Sequence, residues 1–276
     1  MKRLNLKMLG LLIVVLFNSF ITKAQKDTKA LIEEFNKVIT FTSSPIITYQ
    51  STTRLNSMPV IQLQDTMSSQ EIFYKINNSI YTKSNSSEIY LQDSVYIQID
   101  NLSKTVIINK IDTASYSSFN ASPLANKDLQ KAFANNYTFN KKIIDKQNDI
   151  VELTIEPIPD TVLMDQSINL SFILQYNSET FLPQNMQTIA VVKQYVTEEM
   201  QQELAAKGIN TIGLIQKEGE HDFYVHKQIL KVVYNNISTT KVNTIPLWQQ
   251  HFVYDKDKEE FVGTGTYKDY IVTQTF

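Results

Sequence analysis

The sequence predicts a mainly β fold of the α+β class, in which a large antiparallel sheet with one apolar face is accompanied by a few helices. Three observations carry this prediction. Apolar and polar residues alternate with a period of two over much of the chain, turn signals separate the alternating runs, and helical periodicity is confined to three segments. An antiparallel sheet with one buried face produces this pattern, because successive side chains of a strand point to opposite faces.

The first 24 residues have the pattern of a cleaved secretory signal. Three basic residues begin the segment: Lys2, Arg3 and Lys7. The apolar run Met8–Phe17 follows, and Thr22 and Ala24 place small residues three and one before the expected cleavage point. A membrane anchor is the alternative, but this run is about half of the ~20 residues needed to cross a bilayer. We therefore predict a signal peptide over 1–24 and a mature β-rich domain over 25–276.

Charge and composition exclude several classes of function. The chain has 26 basic and 28 acidic residues, and four of the basic residues but no acid lie in the first 24, so the mature chain has a formal net charge of −6. Nucleic-acid binding requires clustered cations, and no basic stripe is present. The chain has no cysteine, which excludes disulfides, thiolate metal sites and an acylated N-terminal cysteine. No permanent membrane anchor is expected.

The alternation is clearest from Glu88 to Ile111. Asp93-Ser94 and the segment 101–104 divide this stretch into three short runs, which predicts a meander of antiparallel strands. Other alternating runs predict further strands: 47–55, 151–156, 168–174, 229–234 and 267–276.

Three segments predict helices instead. The first follows Asp27, the expected N-cap, and its apolar residues have helical spacing: Leu31, Ile32, Phe35, Val38 and Ile39. A second is expected from Ser122-Pro123 to Phe133, with proline in its first turn. A third is expected from Thr197 to Lys207, where Gly208 ends it. An amphipathic helix needs a surface to cover, so we expect the first helix to lie on the sheet.

The order of these elements resembles the LolA/LolB family of periplasmic lipoprotein carriers. The elements that carry the resemblance are an amphipathic helix after the signal, the run Ile89–Asp100 (IYLQDSVYIQID), a short helix, and the strand Glu152–Pro157 (ELTIEP). Asp93-Ser94 stands where the family has Asp-Gly. The resemblance is one of pattern over about residues 27–192, and 193–276 form an additional C-terminal portion.

The resemblance implies an incompletely closed β-barrel whose mouth is covered by helices, with an apolar cavity for acyl chains between sheet and helices. It also implies that Leu31 and Phe35 face this space. An arginine on an early strand helps to hold the helices closed in that family, and Arg54 is the sole arginine of the mature chain. Two alternatives remain open: a solid core in place of a cavity, and a plain surface position for Arg54.

The sequence contains no recognisable catalytic motif. His221 and His226 are five residues apart on a predicted strand, which turns them to opposite faces, and His251 stands alone. The acidic residues beside His221 suit a charged turn better than a metal site. Gly263-Thr264-Gly265 lacks the rest of a phosphate-binding loop, and no nucleophile elbow or zinc-protease motif occurs. We predict no enzymatic activity, no metal and no cofactor.

The favoured interpretation is an exported, non-enzymatic protein of the cell envelope that binds a lipid, a lipoprotein acyl chain or another hydrophobic ligand. The expected location is the periplasm of a Gram-negative bacterium, or the medium. A structural or protein-interaction module that contacts another envelope protein is the alternative, because 14 Tyr and 14 Phe residues suit a contact surface. A carboxylate-based enzyme is the third interpretation.

Overall fold

The computed structural model describes residues 28–58, 66–111, 133–158, 168–209, 215–218, 221–240 and 244–275. The predicted signal segment and most of the predicted second helix lie outside these residues. Among the described residues there are fifteen strands: β1 Ile46–Met58, β2 Thr66–Ile76, β3 Ser79–Ser84, β4 Ser87–Gln92, β5 Val95–Asp100, β6 Thr105–Lys110, β7 Tyr137–Asp145, β8 Ile150–Pro157, β9 Ile168–Asn177, β10 Pro183–Tyr195, β11 Ile215–Glu218, β12 His221–Ser238, β13 Phe252–Asp255, β14 Glu260–Gly263 and β15 Ile271–Thr275.

Thirteen of the described strands form one large sheet, as the predicted fold class requires. Its order is β15-β6-β5-β4-β3-β2-β1-β12-β10-β9-β8-β7, with β11 beside the start of β12, and the path is not closed into a barrel. All neighbours are antiparallel except β15, which pairs with β6 in parallel. The predicted antiparallel sheet is present, and β15 adds one parallel pair at its edge. A parallel pair requires a crossover, and the chain between β6 and β15 supplies it.

The predicted meander is confirmed as strands β4, β5 and β6, joined in sequence by tight turns. Asp93 and Ser94 have φ of 53° and 62°, as both central residues of a type I′ hairpin turn require. The additional portion 193–276 contributes β11, β12 and β15 to the same sheet, and β12 lies at its centre between β1 and β10.

Two of the three predicted helices are present, and the end of the other is described. Helix α1 spans 28–39, α2 is described over 133–136, and α3 is Glu198–Ala206. The hydroxyl of Thr197 caps α3 by accepting a hydrogen bond from the backbone N–H of Met200 at 3.2 Å, and Gly208 follows with φ of 65°. Within the described residues, no helix combines the length and apolar character that crossing a membrane requires.

The sheet has two distinct faces, which register identifies because residues directly opposite each other share a face. Leu153 pairs with Leu174, and the same row continues through Met186 and Val232 to Thr53 on β1. We call this side the helix face, since α1 packs on it. Phe35 and Val38 of α1 form a core there with residues of β8 and β9: Val151, Leu153, Ile155, Leu174 and Tyr176.

The other side, the opposite face, carries a second core at the other half of the sheet. Tyr81, Tyr90, Ile97 and Ile108 form one row across β3 to β6. Trp248, Phe252 and Tyr267 of the C-terminal segment pack on it: they are 9%, 2% and 5% exposed. The helix face of these same strands lies outside both cores.

Candidate ligand-binding cavity

A cavity of about 380 Å³ lies on the helix face of strands β1 to β5, beside the segment that follows α1. This volume falls within the ~300–1,000 Å³ range of small-molecule sites. Carbon dominates its surface, since the described lining residues are mainly apolar or aromatic: Thr42, Tyr49, Phe73, Lys75, Ile80, Thr82, Ile89, Leu91 and Tyr96. The cavity is therefore suited to a ligand with a hydrophobic body.

Strand register brings these residues together. Phe73 and Lys75 of β2 stand opposite Thr82 and Ile80 of β3, which in turn stand opposite Ile89 and Leu91 of β4. Leu91 stands opposite Tyr96 of β5. Each strand contributes alternate residues, and the intervening ones, such as Tyr81 and Tyr90, fill the core of the opposite face. The meander thus supports a packed core on one side and the cavity on the other.

An aromatic cluster forms the wall of the cavity nearest the centre of the sheet. The rings of Tyr49 and Phe73 are stacked, with centroids 4.8 Å apart and planes 10° from parallel. Phe41 packs on Tyr49 at 5.5 Å and on Tyr234 at 5.1 Å. Burial, with the nearby carboxylate of Glu71, raises the pKa of Tyr49 far above its ordinary value and that of Tyr234 to about 12. Both phenols stay neutral, so this wall carries no charge.

Lys75 is the one charged residue among the described lining residues, and it is 3% exposed. Its Nζ donates a hydrogen bond of 2.9 Å to the carbonyl oxygen of Thr42, which lies just beyond the end of α1. Burial lowers the pKa of Lys75, because desolvation penalises the charged form. This bond attaches the end of the helical segment to β2 at the edge of the cavity.

Two hydroxyl groups at the cavity have partners within the protein. Thr82 Oγ1 donates to Glu71 Oε1 at 2.7 Å, and the hydroxyl of Tyr96 donates to Gln98 Oε1 at 3.0 Å. Burial raises the pKa of Tyr96. These internal bonds reduce the need of either hydroxyl for a polar ligand group.

The structure places Phe35 and Leu31 beside this cavity's half of the sheet, in the packed core rather than in the cavity lining. Phe35 is 5% exposed, and its ring lies 5.6 Å from that of Phe133 and 5.7 Å from that of Phe172. Leu31 is partly buried against the same cluster. The helix face thus has a packed core under α1 and the cavity next to it. A direct contact of either residue with a ligand stays a prediction.

Arg54 lies away from both halves of the helix face. In β1 the odd-numbered residues Tyr49, Ser51 and Ser57 are buried, whereas Arg54 is exposed and stands opposite Lys231 of β12. Its register position is on the opposite face from α1. A latch between Arg54 and α1 is not among the contacts of the described residues, and the gating role stays a prediction.

The sequence interpretation overlooked Lys75, although a signal was present. The run Ile72 to Ile76 is apolar at every position except Lys75, so that both faces of the strand are apolar. A lysine within such a run has no polar side to occupy and is buried whichever face it takes. This differs from the lysines of β7, where Lys141 and Lys142 are followed by exposed residues.

A second concave region, of about 730 Å³, lies on the opposite face between β3 to β5 and the C-terminal segment. Glu88 is 3% exposed there and accepts hydrogen bonds from Tyr81 at 2.9 Å, Lys83 at 3.0 Å and Asn101 at 3.4 Å. Burial favours the neutral carboxyl, but the bonds from Lys83 and Tyr81 outweigh it, so the pKa of Glu88 lies below its ordinary value. These partners satisfy the carboxylate, and we assign it a structural role.

The histidines form no metal site in the part of the chain that the structure describes. His226 belongs to β12, and the ring of His251 packs on Tyr90 and Tyr267 at 6.3 Å and 5.2 Å. No group of three or more His, Cys, Asp or Glu side chains among the described residues is arranged to hold a metal ion.

Comparison with known proteins gives solved structures only. No protein-family model and no curated protein matches the chain. The crystal structure of a DUF1329 family protein from Desulfovibrio piger is similar to it at 10% identity and a TM-score of 0.29, covering 86% of this chain and 99% of that one. The LolA superfamily protein NE2245 from Nitrosomonas europaea is similar at 10% identity and a TM-score of 0.26, covering 79% and 94%.

A LolA superfamily protein is thus among the structures that the chain is similar to. With TM-scores below 0.5, these similarities give no residue correspondence.

Proposed function

We propose that this protein is an exported binding protein that holds a hydrophobic ligand in the cavity on the helix face and catalyses no reaction on it. The observation that supports the proposal is the contrast between the two halves of that face. Under α1 the sheet is packed by Phe35 and Val38, which are 5% and 0% exposed, whereas next to it Phe73, Ile89 and Leu91 line a cavity of about 380 Å³.

Burying a hydrophobic chain in this space is favourable. Each methylene group removed from water contributes ~0.8 kcal/mol, and a preformed cavity lowers the ordering cost of binding. The lining offers no nucleophile with a neighbouring base and no pair of carboxylates among its described residues. Retention and release of the ligand, rather than its conversion, is the activity that this lining supports.

Titration with a fluorescent fatty acid tests the proposal, with a pair of matched variants. Ile89→Trp places a large ring in the cavity, and we expect it to weaken binding by about tenfold or more because the ring occupies the volume of the ligand. Ile107→Trp is the control, because Ile107 is on the same face at β6, is 41% exposed and is not among the described lining residues.

We expect saturable binding to the unaltered protein, which Ile89→Trp weakens and Ile107→Trp leaves unchanged. Circular dichroism shows whether both variants fold. Binding that both variants weaken equally places the ligand elsewhere. If the unaltered protein shows no saturable binding, the protein-interaction alternative replaces this proposal.

A further inference from the structure

The opposite face carries a cationic region at the centre of the sheet. Register places Arg54 of β1 directly opposite Lys231 of β12, and Lys227 is on the same face of β12. Over the described residues of β2, β1, β12, β10 and β9, no acidic residue has a register position on this face. The acids of these strands, Glu71 and Asp222, belong to the helix face. Register thus assembles a cationic region from residues that are far apart in the sequence.

The described part of the chain does not neutralise the pair of Arg54 and Lys231. Like charges that stand directly opposite each other repel, because their Cβ atoms are only about 5 Å apart. Neither residue forms an ion pair within the described residues. Further along the same face, Glu152 on β8 is bound instead by Lys142 at 2.6 Å and by Gln175 at 2.7 Å. Both cations therefore remain available to an anion from outside the chain.

A pocket of about 640 Å³ adjoins this pair, extending from Lys231 toward the turn between β9 and β10. Amide side chains make up much of its described lining: Gln175, Asn177, Gln184, Asn185, Asn235 and Asn236. An amide group both donates and accepts hydrogen bonds, as a hydroxyl group does. Glu179, the acid of that turn, is not among the described lining residues. The pocket is thus suited to a hydroxyl-rich body, with the cation pair at one end.

We propose that this region is a second binding site, for a soluble phosphorylated saccharide, independent of the cavity on the helix face. The phosphate group lies between Arg54 and Lys231, and the sugar body occupies the pocket lined by amides. A phosphomonoester carries a charge of about −1.5 to −2 near pH 7, so one group balances both cations, whereas a carboxylate balances only one. The planar guanidinium group of Arg54 also matches phosphate, because it can donate two parallel hydrogen bonds.

Isothermal titration calorimetry at low ionic strength tests the proposal with glucose 6-phosphate, glucuronate and glucose, which share a sugar ring and differ in charge. Each is titrated into the unaltered protein, Lys231→Glu and Lys110→Glu. Lys231→Glu places a carboxylate opposite Arg54, so an attractive pair replaces a repulsive one and the variant should fold. Lys110→Glu is the control, because it makes the same change in charge at an exposed position of β6, five strands away from β1.

We expect the unaltered protein and Lys110→Glu to bind glucose 6-phosphate about tenfold or more tightly than glucose, with glucuronate between them. Lys231→Glu should bind glucose 6-phosphate about tenfold or more weakly than the unaltered protein does. Added salt should weaken the binding of glucose 6-phosphate to the unaltered protein, because it screens exposed charges. Circular dichroism shows whether both variants fold.

Equal affinity of the unaltered protein for glucose and glucose 6-phosphate overturns the proposal, and so does equal weakening by the two substitutions. A protein that ignores glucose 6-phosphate but sediments with vesicles containing phosphatidic acid, and not with phosphatidylcholine vesicles, overturns it in favour of a membrane phosphate surface. Absence of both interactions overturns the site altogether. The hydrophobic cavity is unaffected by any of these results, because it lies on the other face and is tested with a different ligand.

Discussion

The hydroxyl of Tyr176 on β9 donates a hydrogen bond of 2.6 Å to Oε2 of Glu34 on α1. Lys141 of β7 binds the same oxygen at 2.7 Å. Burial, and then the neighbouring Glu34 carboxylate, raise the pKa of Tyr176, so the phenol stays a donor. Two strands on the helix face therefore hold one carboxylate of α1, and this contact fixes the helix beside the cavity.

Replacing Tyr176 by Phe should lower the free energy of unfolding by about 1–2 kcal/mol, because the ring still packs but the hydrogen bond to a charged acceptor is lost. Urea denaturation measures the change. Tyr254→Phe is the matched control, since Tyr254 is 47% exposed on β13, and we expect it to change stability by less than ~0.5 kcal/mol. Equal effects of the two substitutions would contradict the role of the Glu34 contact.

Phe35→Ala should lower the free energy of unfolding by about 3–5 kcal/mol, because Phe35 is buried among the rings of the packed half and its removal leaves a cavity. Leu102→Ala is the control, with a side chain that is 82% exposed in the turn between β5 and β6. A loss below ~1 kcal/mol at Phe35 would show that it covers an open space rather than a core.

Glu88→Gln should lower the free energy of unfolding near neutral pH. It should also make the free energy of unfolding less dependent on pH in the acidic range. The folded-state pKa of Glu88 lies below the ordinary value of 4.5. Ionised Glu88 therefore stabilises the fold above that value, and the contribution is lost as the pH falls through the lower, folded-state pKa.

Denaturation of both proteins between about pH 7 and about pH 3 measures this effect, and we expect the stability difference to shrink toward the acid end. Glu179→Gln is the control, because Glu179 is exposed in a turn. The free energy of unfolding of this variant should change with pH in the same way as that of the unaltered protein. A difference that grows as the pH falls would mean that Glu88 is destabilised by its burial instead.

Arg54→Leu tests the gating role that the resemblance to the lipoprotein-carrier family implies. Because Arg54 is exposed on the opposite face from α1, its position favours an unchanged release rate of the fluorescent fatty acid, within about twofold, and a change in stability below ~0.5 kcal/mol. Stopped-flow displacement measures the rate. Release that becomes several times faster would support the gating role.

Expression of the full chain in a Gram-negative host should yield a protein that begins at Gln25 and needs no detergent, because the apolar run Met8–Phe17 is too short to cross a bilayer. N-terminal sequencing and fractionation check this prediction. Recovery of the uncut chain in the membrane pellet would instead indicate a retained anchor.

The sequence predicts local structure well wherever neighbouring residues decide it. The meander from β4 to β6 and the helix capped by Thr197 were predicted because alternation, turn residues and caps are local signals. The parallel pairing of β15 with β6 was not, because nothing in Ile271–Thr275 specifies a partner far away in the chain. Lys75 was overlooked because lysine in a strand is usually exposed, whereas the apolar residues on both sides of it decide otherwise.

The pairing of β1 with β12 also determines how the chain must fold. Each half of the sheet consists mainly of strands that pair with neighbours in sequence, and such hairpins form quickly. The halves are joined where β1 pairs with β12, with Arg54 opposite Lys231. A long stretch of chain must therefore lose conformational entropy before this pairing can stabilise the fold. Until then β1 and β12 both have unpaired edges, which are open to other chains. Refolding should therefore be slow at this central seam, and its yield should fall as the protein concentration rises.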